Sequence, residues 1–131
     1  MNDETFQEAE AWIAKARSDL KAAEILATGE NSPQDIAIYH CQQSAEKAIK
    51  GFLVFREIPF QKTHDLERLL ELVREDSTSL VKLDEHARIL TPYAVEFRYP
   101  GDVFEPDEAE MLEALRLARE VLDHVVSLIK K

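Results

Sequence analysis

Four histidines and one cysteine are the residues with the widest chemical range: His40, His64, His86, His124 and Cys41. The histidines stand singly, with no His-x3-His pair and no His-Glu-x2-His run, and one thiol builds no thiolate cluster. No structural zinc site and no cofactor is expected from such a set. The three glycines lie outside any phosphate-loop spacing, and no segment has the form of a nucleophile elbow. Carboxylates number 26, so pairs of them carry no assignment; most belong to solvated helix faces.

Two regions are less ordinary. In His40-Cys41-Gln42-Gln43-Ser44-Ala45-Glu46-Lys47-Ala48-Ile49-Lys50, the residues His40, Gln43, Lys47 and Lys50 share one stripe at helical spacing. Residues 40–64 hold four bases (Lys47, Lys50, Arg56, Lys62) against two acids (Glu46, Glu57), a formal +2 within a chain of net charge −10. Such an island can meet a phosphate or an acidic partner. The plainer alternative is a solvated face whose lysine stems cover apolar surface. In Tyr93-Ala94-Val95-Glu96-Phe97-Arg98-Tyr99-Pro100 an arginine ends a helix just before a turn. It can bond the last helix carbonyls, or offer a planar fork to phosphate or carboxylate.

The elements that must position these residues read as helices. Phe6, Ala9, Ile13, Ala16, Leu20, Ala23 and Ala27 step by threes and fours, which predicts a first helix closed by Thr28-Gly29, with Gly29 as a left-handed C′ residue. Ser32-Pro33 opens a second, Ser32 as N-cap, carrying Ile38, Cys41, Ala45, Ala48, Phe52 and Phe55 up to Pro59. Thr63 or Asp65 caps a short third helix with Leu66, Leu69, Leu70 and Val73. A fourth spans Leu83, Ala87, Leu90, Ala94 and Phe97, with a kink or a Thr91-capped restart at Pro92. After Pro106 a last helix presents Met111, Leu115, Ala118, Leu122, Val125 and Ile129. No window alternates as a strand does. The fold class is therefore all-α: an up-and-down antiparallel bundle of four long helices plus one short one, with residues 1–131 as a single domain.

Composition narrows the function. A net charge of −10 argues against broad nucleic-acid binding, which needs a basic surface for counterion release. A single cysteine suits a reducing compartment. The acidic N-terminus is no targeting peptide, and no apolar run approaches a membrane span. A soluble, cytoplasmic protein with no membrane contact is expected.

The segments HCQQSAEKAIKGFL (40–53), THDLERLL (63–70) and FRYP (97–100), in that order, resemble the HEPN family. These are helical domains of prokaryotic toxin–antitoxin and nucleotidyltransferase-associated proteins. The resemblance implies a four- or five-helix bundle that pairs as a homodimer with an interfacial cleft. Many members are metal-independent ribonucleases using an Arg, four to six residues, then a His, the His moving a proton and the Arg steadying phosphate. Here Arg98 can be the Arg, but Val103, Phe104 and Glu105 fill the His positions. Another histidine, His40 or His64, would have to stand in. The resemblance points instead to the branch that accompanies a small nucleotidyltransferase, as a nucleotide-binding or accessory subunit. Lys47, Lys50, His64 and Arg98 are then candidates for an anionic ligand, with Gln43 and Tyr99 as neutral hydrogen-bonders. Two alternatives remain: a HEPN ribonuclease toxin, and a non-catalytic dimeric interaction module in which the motif residues serve packing.

Overall fold

The structure, a computed structural model, describes residues 3–74, 78–94 and 105–130. It holds five α-helices: α1 (Asp3–Thr28), α2 (Gln34–Phe55), α3 (Leu66–Glu71), α4 (Asp84–Leu90) and α5 (Glu108–Leu128). Two 3₁₀ segments, Thr78–Leu83 and Thr91–Ala94, extend α4 in both directions, so helical backbone runs unbroken from Thr78 to Ala94. This composite is the fourth long element of the bundle. No strand occurs among the described residues.

The central helix is α2, which packs against α1, α3, α4 and α5. From Cys41 to Leu53 every residue but Lys47 is buried. An amphipathic stripe cannot account for that; a helix enclosed on nearly all sides can. Helix α1 runs antiparallel to it, as shown by Gly51 lying against Ala9, Trp12 and Ile13 while His40, further back along α2, reaches forward to Asp19. A Cβ on Gly51 would stand 3.1 Å from Trp12 Cβ and 3.2 Å from Ile13 Cδ1, so the missing side chain lets the two helices approach. The ridge of α5 expected from sequence is buried throughout, from Met111 to Ile129. Together Ile38, Ile49, Leu53, Leu66, Leu90, Met111 and Val125 form part of one continuous core.

Several helix ends differ from expectation. Gly29 is not left-handed; the positive φ falls on Asn31, at 58°. At Gly29 a Cβ would meet Ser32 Oγ at 2.0 Å and Ser32 Cβ at 3.2 Å, so a side chain there requires Ser32 to turn its hydroxyl away. Ser32 does not cap α2: the N-cap is Pro33, which has no side-chain cap bond. For α3 the cap is Asp65, accepting from the backbone N–H groups of Glu67 and Arg68, while Thr63 Oγ1 accepts from the Asp65 N–H. Thr91 caps no restart. Its hydroxyl donates to the Ala87 carbonyl at 2.7 Å and accepts from the Leu66 N–H at 3.1 Å, which ties the start of α3 to the end of α4. Phe97, expected on that helix, lies outside the described residues.

The end of α2 is a complete Schellman turn. Ile58 N–H bonds the Leu53 carbonyl and Glu57 N–H the Val54 carbonyl, and Glu57 takes φ 56°. A non-glycine residue there is strained by about 1 kcal/mol. Glu57→Gly is expected to raise stability by about 0.5–1 kcal/mol, measured as a shift in the urea midpoint at unchanged m-value.

Candidate functional site

The motif stripe of α2 is turned against its neighbours, and its charges are answered from within the chain. The Glu46 side chain is 4% exposed and that of Lys50 is 8%. Glu46 Oε2 accepts from Lys50 Nζ at 3.0 Å, and Oε1 accepts from Gln42 Nε2 at 3.1 Å and lies 2.9 Å from His64 Nδ1. Because a carboxylate only accepts, His64 must carry its proton on Nδ1, leaving Nε2 as its other nitrogen. Gln42 Nε2 also donates to the His64 carbonyl, and Gln43 Nε2 donates to Gln42 Oε1. Lys50 Nζ further lies 5.9 Å from the Trp12 ring and 5.8 Å from Phe60, two rings that meet edge to face. The buried ammonium thus has a carboxylate on one side and aromatic faces on the other.

Further back along α2 stands a second cluster. Asp19 of α1 is buried; its Oδ2 accepts from Lys47 Nζ at 2.6 Å and its Oδ1 lies 2.8 Å from His40 Nδ1. Lys47 and His40 keep 27% and 29% of their side-chain surface exposed. Ser44 joins the same helix pair by donating to the Ala16 carbonyl.

Of the six residues singled out from sequence, Lys50 and His64 therefore meet at Glu46, and Gln43 joins them through Gln42. Lys47 belongs to the Asp19 cluster. Arg98 and Tyr99 lie outside the described residues. The organising carboxylates, Asp19 and Glu46, were absent from the candidates. Glu46 and Lys50 stand at i,i+4 spacing, a legible signal. Asp19 interrupts the apolar face of α1, a signal only once a partner is known.

Surface cations stand elsewhere. A groove of about 530 Å³ between residues 59–63 and α3 is lined by Phe60, Lys62, Thr63, Arg68, Leu69 and Leu72, among others. Nothing in the periodicity marked Arg68 for it. Across α4 and α5, His86 Nε2 lies 3.0 Å from Glu120 Oε1. That ring, with Arg116 adding to it, holds the Glu120 carboxyl below its usual range. Burial pushes the Cys41 thiol up to about 12, so almost no thiolate forms near neutrality. Native protein is expected to react with a thiol reagent far more slowly than urea-unfolded protein, as followed by release of the reagent's chromophore.

Among the described residues no group of three or more His, Cys, Asp or Glu is placed to hold a metal ion. No helix there is long and apolar enough to cross a membrane. The fold and its inward-turned polar motif define an all-α bundle organised on one enclosed helix. The HEPN domain family model matches residues 9–129, and the chain belongs to that family. A Methanocaldococcus jannaschii protein named "Putative toxin MJ1304" is 29% identical over 143 residues, spanning 94% of this chain and 89% of its own. The crystal structure of TT1696 from Thermus thermophilus is similar at TM-score 0.79 and 29% identity, covering 91% of this chain and 96% of that one. ST0689, an archaeal HEPN homologue, matches at TM-score 0.73 and 29% identity, covering 93% and 98%.

Proposed function

We propose that this HEPN protein works by binding, as the accessory half of a toxin–antitoxin-like pair with a small nucleotidyltransferase. The observation that carries this reading is the interrupted ribonuclease pattern: Arg98 is followed at the family spacings by Val103, Phe104 and Glu105, none of which can exchange a proton as imidazole does near neutrality. The clusters on α2 support it too. Lys47 and Lys50 already hold carboxylates, so the motif stiffens a scaffold on which a nucleotide or a partner chain can be received. The low net charge favours one local contact over broad RNA binding.

The reading expects the neighbouring gene to encode a small nucleotidyltransferase, and co-expression of the two chains tests it. The two chains should co-purify, and the HEPN chain alone should leave RNA intact. ATP at millimolar concentration should raise the melting temperature if a nucleotide is the ligand. RNA degradation by the purified chain, abolished by Arg98→Ala, would overturn it.

That outcome belongs to the second reading, a ribonuclease toxin, which the name of the Methanocaldococcus relative favours. His40 and His64 would then be the stand-in bases. Each has Nδ1 on a buried carboxylate, which orients Nε2 for proton transfer.

A further inference from the structure

We propose that the groove between residues 59–63 and α3 docks an acidic peptide segment of a partner protein, anchored by a bulky apolar residue. The proposal rests on the partner-binding reading above and places the contact away from the α2 stripe.

Charge complementarity carries it. In a chain of net charge −10, this groove is lined by two cations, Lys62 and Arg68, and by no carboxylate. Lys62 is exposed and meets no carboxylate among the described residues. Arg68 touches Glu71 at 3.5 Å, but both side chains are more than half exposed, and such a pair yields readily to a better acceptor. Four acids of this region, Glu67, Glu71, Asp84 and Glu85, stand with Arg74 and Arg88 on the other flank of α3, and Asp65 at its start accepts from the Glu67 and Arg68 N–H groups. An acidic segment is therefore admitted on one side of α3 and repelled from the other, which fixes where it can lie.

Beside the cations and the polar Gln61 and Thr63, the groove has an apolar lining of Pro59, Phe60 and Leu72, with Leu69 fully buried beneath. Leu72 is 38% exposed, so it offers apolar surface to a ligand in the groove. A bulky aliphatic or aromatic side chain set between carboxylates matches that layout. The walls are also held in advance of any partner. The Schellman turn at Glu57 fixes the chain entering residues 59–63. The Glu46–His64 bond and the Gln42 bond to the His64 carbonyl fix its exit, and Asp65 caps α3. A site fixed in this way loses little conformational entropy on binding.

The experiment is fluorescence anisotropy on the full chain with three labelled peptides: glutamates around a central leucine, the same with lysines, and the glutamate form with central alanine. The first should bind saturably and the lysine form should not. The alanine form should bind about tenfold more weakly, the effect of about 1.4 kcal/mol of lost apolar contact. Lys62→Glu with Arg68→Glu should weaken the leucine peptide by about tenfold or more, whereas Lys130→Glu, on the exposed end beyond α5, should not. Leu72→Ser is a second variant that keeps both charges and should also weaken it. Absence of binding, binding indifferent to the Lys62/Arg68 change, or displacement by millimolar inorganic phosphate would overturn the proposal; the last would mark a small-anion site. Because the peptides are synthetic, binding here is independent of whether the nucleotidyltransferase co-purifies, so the two readings fail separately.

Discussion

Glu46→Ala is expected to lower the unfolding free energy by about 3–5 kcal/mol. The reason is what remains behind. Lys50, 8% exposed, would keep a charge in the bundle without the carboxylate 3.0 Å from it, and Gln42 and His64 would lose their shared acceptor. The Trp12 and Phe60 rings offset part of this, by about 1–2 kcal/mol for a desolvated cation. Replacing both partners, Glu46→Leu with Lys50→Met, should recover the part of the loss due to the unpaired Lys50 charge, because the pair's own attraction is largely cancelled by its desolvation, but not the part due to the acceptor lost to Gln42 and His64. Urea unfolding of the two single variants and the double measures this directly. Singles within about 1 kcal/mol of the parent would mean the pair is not buried as described.

Leu53→Ala is expected to cost about 2–5 kcal/mol. Leu53 is 0% exposed at the middle of the core, on the helix that touches all the other α-helices, so little can move in to fill the space. Its carbonyl also receives the Ile58 N–H of the Schellman turn, which makes residues 59–63 the segment that loosens first. Leu112→Ala is the control: at 53% exposed it should change stability by no more than about 0.5 kcal/mol. Equal losses at the two positions would contradict the core assignment.

The two long outer helices were legible in the sequence because each buries one stripe. On α5 every position of the expected apolar face, Met111 through Ile129, is buried. On α1 the same rhythm holds for Ala9, Ile13, Ala16 and Ala23, while Phe6, Leu20 and Ala27 stay at the rim. Helix α2 was harder. Its apolar positions read correctly, but Gln42, Gln43, Ser44 and Glu46 are buried as well, and a buried polar residue with its partners satisfied looks the same in sequence as a solvated one. Counting charge over residues 40–64 had the same weakness. The formal +2 includes Lys47, whose counter-charge is Asp19 on another helix, and Lys50, whose partner is inside the window but below the surface.

Caps were placed to within a residue or two, and their errors have local causes. Asn31 took the left-handed position that Gly29 did not need. Thr91 spent its hydroxyl on Ala87 and Leu66, a tertiary bond that no local pattern shows. A kink or restart was expected at Pro92; the helical backbone instead continues to Ala94, changing from α to 3₁₀ geometry after Leu90, next to a residue that has no N–H to give. The groove cations were half legible: Lys62 stood in the basic island, but Arg68 reaches the groove only because α3 folds back beside residues 59–63.

The central claim is that the lysines of the α2 motif belong to the scaffold, leaving the groove beside α3 to present charge to a partner. Acetylation of the native chain by a mild lysine reagent, read site by site by mass spectrometry, tests this most directly. Lys50 should be strongly protected, Lys47 partly so, and Lys62 should react as fast as exposed Lys82 and Lys130; protection of Lys50 should vanish in urea and be unaltered by ATP. Native Lys50 reacting as fast as Lys62, or becoming protected only when ATP is added, would contradict the account and return that lysine to a ligand site.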